Sequence, residues 1–289
     1  MREVAVPNST GTDSPRLAAP AGSCDCHLHV FDPRFSLSPS ATQLPSGATV
    51  NEYRLLQRRI GTTRAVIVQA KPFGTDNRCV LDAVEQLGLT NARGIAVVSP
   101  RITIAELQDM ASGGIRGLRF SLWNPRDAVI SIDMLEPLAK RIADLGWHIQ
   151  LHMSGDQIVD NEALLSRLPC PLVVDHMGRI PPQAGTGHLA FKLICRWIEQ
   201  GNGWVKLSGA YLNTVSGPPG YSDATAVAQA FVAFAPERMV WGSDWPHVTE
   251  KEHKPDDALL MDLLSTWIPD KTLRQKVLVD NPAALYGFV

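Results

Sequence analysis

His27 and His29, in the run Cys24-Asp25-Cys26-His27-Leu28-His29-Val30, are the first residues whose types and spacing suggest chemistry. An extended strand turns alternate side chains to the same side. Asp25, His27 and His29 are therefore expected on one face, with Cys24, Cys26, Leu28 and Val30 on the other. Two imidazoles one pleat apart at a strand end can ligate a metal or steady an oxyanion. A lone His-x-His is also common in cores and loops, so the pair gains meaning from the polar residues that end later apolar runs. His152 closes Trp-His-Ile-Gln-Leu-His, Asp175-His176 closes Leu-Val-Val-Asp-His, and Asp244 closes Met-Val-Trp-Gly-Ser-Asp. Each run is short, apolar and bounded by Gly, Pro or Ser, which is how a buried parallel strand reads.

Such residues need strands that end at one place. From residue 23 onward, strand-like runs at 24–30, 64–70, 93–98, 115–122, 147–153, 171–176, 203–208 and 239–243 alternate with helical patterns. The helical stretches are 79–87, 103–111, 135–145, 161–167, 189–199, 224–234, 254–267, 271–278 and 281–286. Eight strands with crossover helices predict an α/β fold, a distorted (β/α)8 TIM barrel, whose C-terminal strand ends converge on one mouth. An open doubly wound sheet fits less well, because no Gly-rich phosphate loop follows an early strand. Residues 1–22, rich in Pro, Ser, Ala and Gly, read as an extended N-terminal arm, and 23–289 as a single barrel domain.

The bulk numbers narrow the class. The 289 residues are 45% hydrophobic and 19% charged, with a formal net charge of -2. That balance argues against nucleic acid or an anionic membrane as a partner. Five cysteines form no regular framework and are expected as reduced thiols. With no signal-like apolar segment and no run of membrane-spanning length, the expectation is a cytoplasmic protein. A homo-oligomer is compatible with the sequence.

The chain resembles the amidohydrolase superfamily, and within it the branch of 2-pyrone-4,6-dicarboxylate lactonase and related lactone-processing enzymes. The resemblance rests on His27-x-His29, His152, Asp175-His176-Met177-Gly178-Arg179, Gly114-Ile115-Arg116-Gly117-Leu118-Arg119-Phe120 and Trp241-Gly242-Ser243-Asp244-Trp245-Pro246-His247, and it runs to the C-terminus. It implies hydrolysis of a small acid-bearing lactone in the catabolism of aromatic compounds. A lactone isomerase or a metal-dependent decarboxylase of the same superfamily is the alternative. Asp244 would be the general base, and His176 would stabilise the oxyanion or hold the water. His27, His29, His152 and Asp244 would hold one divalent metal, Zn²⁺. Metal-independent catalysis, with His152 contacting substrate, stays open.

Departures from that branch bear on the substrate, an anionic lactone. Its enzymes carry a tyrosine where His152 stands. Arg119 is retained and Arg126 stands near a second arginine position, but the arginine expected near Leu212 is missing and Lys71 is new. Ammonium does not fork onto a carboxylate as guanidinium does. Muconolactone-type acids, including 4-sulfomuconolactone, and sugar-acid lactones are therefore favoured over the pyrone dicarboxylate. Arg119 could instead pair with Asp175 or Asp244, and Lys71 could be solvated. Tyr211 and His247 are expected to contact substrate or shuttle protons, His247 alternatively being structural. Trp123 and Trp245 are read as pocket walls or core, His148 as structural, and His188 and His253 as surface residues.

Overall fold

A computed structural model describes residues 5–39, 41 and 44–289. Eight parallel strands, β1 (Cys24–Leu28), β2 (Arg64–Val68), β3 (Ala92–Ala96), β4 (Ile115–Ser121), β5 (His148–His152), β6 (Leu172–Val174), β7 (Gly203–Leu207) and β8 (Met239–Trp241), pair in sequence order. Between β8 and β1 the backbone bonds Asp244 N–H to His27 O and His29 N–H to Trp245 O, both 2.8 Å, bring the sheet round into a (β/α)8 barrel. The helices are α1 (Val50–Ile60), α2 (Arg78–Leu87), α3 (Ile104–Ser112), α4 (Leu135–Ile142), α5 (Gly155–Asp160), α6 (Glu162–Leu165), α7 (Leu189–Glu199), α8 (Ser222–Phe234), α9 (Asp257–Trp267), α10 (Lys271–Gln275) and α11 (Asn281–Tyr286). No helix among the described residues is long and apolar enough to cross a membrane.

Every expected strand is present, but β1 does not keep the expected alternation. Asp25 pairs with Ala65 and Leu28 with Ile67, so Cys26 and His27 together face the single residue Val66. This is a β-bulge, and it reverses the phase of the strand partway along. Cys24 and Cys26 point inward and pack with Val66, Val68, Ile95, Val173 and Val240. Asp25 points outward, where it accepts from Ser243 N–H (2.9 Å), Ser243 Oγ (2.6 Å) and the Tyr53 hydroxyl of α1 (3.3 Å). Beyond the bulge, His27 and His29 turn inward. The bulge presses His27 against β8, where a Cβ on Gly242 would lie 2.6 Å from the His27 Cβ. Only glycine fits there.

The sequence reading missed α1, although Val50, Tyr53, Leu56 and Ile60 recur at helical spacing and are buried. Thr49 and Glu52 form its capping box, and Gly61 ends it in a left-handed conformation (φ 78°). The helix expected over 161–167 is the single turn α6, and the unexpected α5, capped by Ser154, precedes it. Of the expected arm, residues 1–4 lie outside the described residues. Residues 5–22 contain neither helix nor strand and lie on the barrel: Thr10 N–H donates to Pro255 O, and Leu17 N–H to Asp262 Oδ1.

Candidate active site

The mouth is assembled at the C-terminal strand ends. Past β8, Ser243 is tied to Asp25, and the chain turns through Asp244 in a left-handed conformation (φ 64°). Past β6, His176, Met177, Gly178 and Arg179 are all left-handed, with φ of 51°, 54°, 72° and 42°. Such backbone is costly outside glycine and concentrates at functional turns. The two turns bring Asp244 Oδ1 to 3.5 Å from His27 Nε2 and 3.9 Å from both His29 Nε2 and His176 Nε2. Burial raises the Asp244 carboxyl to about 6, against the hydrogen bond from Tyr211 that favours its ionised form.

The three imidazoles are buried and neutral. Burial takes His29 down to about 3 and His27 and His176 well below the ordinary histidine value. His29 donates its Nδ1–H to the Val68 carbonyl at 2.8 Å. Its Nε2 therefore carries a lone pair, as a metal ligand requires. That lone pair faces the Asp244 carboxylate, and His27 Nε2 is buried with no hydrogen-bond partner. A cation among these atoms would relieve the repulsion. His27, His29 and Asp244 can converge on one ion, and so can His27, Asp175 and His176. The donor set fits a divalent metal.

His152 lies outside both groups, which departs from the expected ligand set. Its ring centroid is 5.3 Å from that of His176, its Nδ1 is 3.0 Å from Ser121 Oγ, and its buried Nε2 has no protein partner. The fifth-strand histidine lines the cavity beside His176.

Beneath the histidines lies a polar layer that the sequence reading did not assign to the site. Lys206 on β7 donates to Cys26 O (2.8 Å) and Gln150 Oε1 (2.7 Å), and stands 3.3 Å from His27 Nδ1 and 3.6 Å from Asp175 Oδ1. Gln150 in turn donates to Asp175 Oδ2 at 3.0 Å. Burial works against the charge on Asp175, but Lys206, His176 and Arg119 hold its carboxyl below the ordinary range. The layer props His27 from below, with Asp175 Oδ1 at 3.2 Å from its Nδ1. The available signal was alternation, His148-x-Gln150-x-His152 on β5 and Trp204-x-Lys206-x-Ser208 on β7.

Beside the histidines opens a cavity of about 740 Å³, lined by His29, Lys71, Arg119, His152, Trp123 and Lys254 among others. Arg119 donates to Gln69 O at 3.2 Å, and its Nε lies 3.9 Å from Asp175. Arg126 is exposed on the turn after Asn124 and does not line the cavity. Tyr211 and His247 do not line it either. They stand behind Asp244, with Tyr211 donating to Asp244 Oδ2 at 2.6 Å. Trp123 forms a wall, whereas Trp245 is fully buried. Arg179, which the sequence reading passed over, donates to Leu212 O at 3.0 Å and lies 4.2 Å over the Trp123 ring. A guanidinium thus stands beside Leu212 after all, supplied from the β6 turn. His148 packs on Tyr286, and His188 caps α7 instead of standing free at the surface.

The parallel barrel gathers a histidine pair at the end of β1, a histidine after β6 and an aspartate after β8 at its C-terminal mouth, where barrels of this kind carry their active sites. The chain belongs to the amidohydrolase family, whose profile matches residues 24–288. It is 37% identical over 282 residues to the 2-pyrone-4,6-dicarboxylate hydrolase of Comamonas testosteroni, covering 94% of this chain and 92% of that one. It is 34% identical over 281 residues to the 4-sulfomuconolactone hydrolase of Rhizobium radiobacter, with 94% and 92% covered. The ligand-free crystal structure of an Agrobacterium tumefaciens protein superposes with a TM-score of 0.85 at 27% identity, covering 96% of this chain and 99% of that one.

Proposed function

We propose that the chain hydrolyses a small lactone bearing an acid group, of the muconolactone or sugar-acid type. The observation that carries this reading is the Asp244 carboxylate, held within 4 Å of three histidine Nε2 atoms, of which His29 lines the cavity together with Lys71 and Arg119. Asp244 takes the proton of the attacking water and returns it to the departing ring oxygen. His176, steadied by Ser208 Oγ at 2.9 Å from its Nδ1, orients that water. His152 offers its unpartnered Nε2 to the substrate. Arg119 and Lys71 hold the acid group away from the bond that breaks, which fixes orientation. Kinship with a pyrone-dicarboxylate hydrolase and a sulfomuconolactone hydrolase supports an anionic lactone. A divalent ion, Zn²⁺ by its taste for imidazole and carboxylate, would be held by His27, His29 and Asp244 and would polarise the carbonyl and acidify the water.

Incubation with 4-sulfomuconolactone, 2-pyrone-4,6-dicarboxylate and a sugar-acid lactone, read by mass spectrometry, tests the assignment. A product heavier by one water is expected. Unchanged mass with a new retention time would mean isomerisation, and loss of carbon dioxide would mean decarboxylation; either overturns hydrolysis. Asp244→Asn should abolish turnover while substrate still binds, and retained turnover removes Asp244 from the mechanism.

A further inference from the structure

Behind Asp244 three side chains follow one another into the protein. Tyr211 donates to Asp244 Oδ2 at 2.6 Å, its oxygen lies 2.9 Å from His247 Nδ1, and His247 Nε2 lies 3.1 Å from Asp257 Oδ2. His247 and Asp257 are both wholly buried. A phenol has one hydrogen. When it goes to Asp244, the phenol oxygen must accept, and His247 Nδ1–H is the donor at hand. The histidine thereby decides which way the hydroxyl points. His247 is held in a left-handed conformation (φ 54°) by the bend after Asp244, and its N–H donates to Asp244 O at 2.9 Å. Asp257, in the first turn of α9, is fixed by its own N–H donating to Ser9 Oγ of the N-terminal arm at 3.2 Å.

We infer that Tyr211, His247 and Asp257 are positioning residues, a clamp that holds the Asp244 carboxylate by Oδ2 so that Oδ1 stays turned to the three histidines. They act through Asp244, which Tyr211 bonds directly and behind which His247 and Asp257 follow. The inference rests on Asp244 being the reacting carboxylate.

Tyr211→Phe removes one oxygen and keeps the ring. Its kcat on 4-sulfomuconolactone, or on whichever lactone of the panel turns over fastest, should fall about 10- to 100-fold, with KM within about threefold. His247→Asn keeps an N–H near the Nδ1 position, and asparagine tolerates positive φ; it should retain kcat within about threefold. His247→Gln, similar in polarity but without that donor, should fall as far as Tyr211→Phe. The Tyr211→Phe/His247→Gln double variant should fall no further, because both changes cut one chain. A merely structural role would make the losses additive. Independently of any substrate, a crystal structure of Tyr211→Phe should show the carboxylate rotated away from its 3.5 Å approach to His27. Full kcat in Tyr211→Phe, a loss confined to KM, or an unmoved carboxylate each overturns the clamp. Asp244→Asn measured alongside separates the two claims: if that variant is inactive while Tyr211→Phe is unimpaired, only the clamp fails.

Discussion

His29 Nε2 and Asp244 Oδ1 face each other across 3.9 Å, and neither has a hydrogen for the other. The only hydrogen on neutral His29 goes to the Val68 carbonyl, and above about pH 6 Asp244 is ionised. The backbone nevertheless holds the two together, through Asp244 N–H to His27 O and His29 N–H to Trp245 O. Structure that forces like electrostatic partners together is built for something positive between them.

Protein purified without added metal should therefore contain about one zinc per chain by elemental analysis, and chelation should remove both metal and activity. His29→Asn should purify with little metal. His152→Asn should keep its full complement and show raised KM, since its ring lies outside the converging group. Metal lost on His152→Asn would return that residue to the ligand set. A metal-free, fully active protein would leave the histidines to act unaided.

Arg119 tests the anionic substrate. Its side chain is buried at the cavity wall, and its Nε lacks a hydrogen-bond partner. A guanidinium–carboxylate pair contributes about 1.5–3 kcal/mol, so Arg119→Lys should raise KM for an acid-bearing lactone by about 10- to 100-fold. A neutral lactone of similar ring size should be affected far less. Equal losses on both would place Arg119 in the scaffold, through its contacts to Gln69 O and Asp175.

At the other end of the barrel His148 bears on acid stability. Burial takes its imidazole down to about 3. The unfolded chain therefore binds a proton between about pH 6.5 and 3 that the folded chain refuses, and stability falls as pH falls through that window. The slope approaches about 1.4 kcal/mol per pH unit for one such group. Denaturant unfolding at pH 7 and pH 5 should show a loss about 1–2 kcal/mol smaller in His148→Gln than in the native chain. Identical losses would mean that His148 is accessible to protons in the folded state.

The strand ends were legible because polar residues closing apolar runs mark the C-terminal face of a parallel sheet, and His27, His29, His152, His176 and Asp244 all lie there. The bulge at Cys26–His27 was not, since it depends on how β1 meets β2 and no glycine or proline within β1 announces it. Alternation alone put Asp25 with the histidines, whereas it is the outward anchor of Ser243. Lys206 sits in Gly-Trp-Val-Lys-Leu, where a charge reads as a solvent-facing break in a strand; only a closed barrel offers it Cys26 O and Gln150 from across the interior. Arg126 and Arg179 show the same limit. Loop arginines cannot be aimed from spacing, and it is Arg179, after a left-handed turn, that reaches Trp123 and Leu212.

The N-terminal arm supplies the last test. Composition suggested an extended arm, and Arg59 of α1, its side chain wholly buried, donates to Asp13 O (2.8 Å), Thr10 O (3.0 Å) and Ser9 Oγ (3.2 Å) of that arm, besides its bridge to Asp256 at 2.5 Å. Trp245, next to Asp244, donates its indole N–H to Pro7 O at 2.8 Å. Asn8 lines the cavity and donates to Ser46 O and Gly47 O, both at 3.0 Å. Deleting residues 1–13 removes these acceptors together, and each buried donor left unpaired costs about 1–3 kcal/mol. Thermal unfolding should drop by about 5 °C or more, at about 2–4 °C per kcal/mol for a chain of this size. KM should rise as well, because the arm walls the cavity and holds Asp257 through Ser9. An intact melting temperature and KM after removal of residues 1–13 would show that the arm only lies on the barrel.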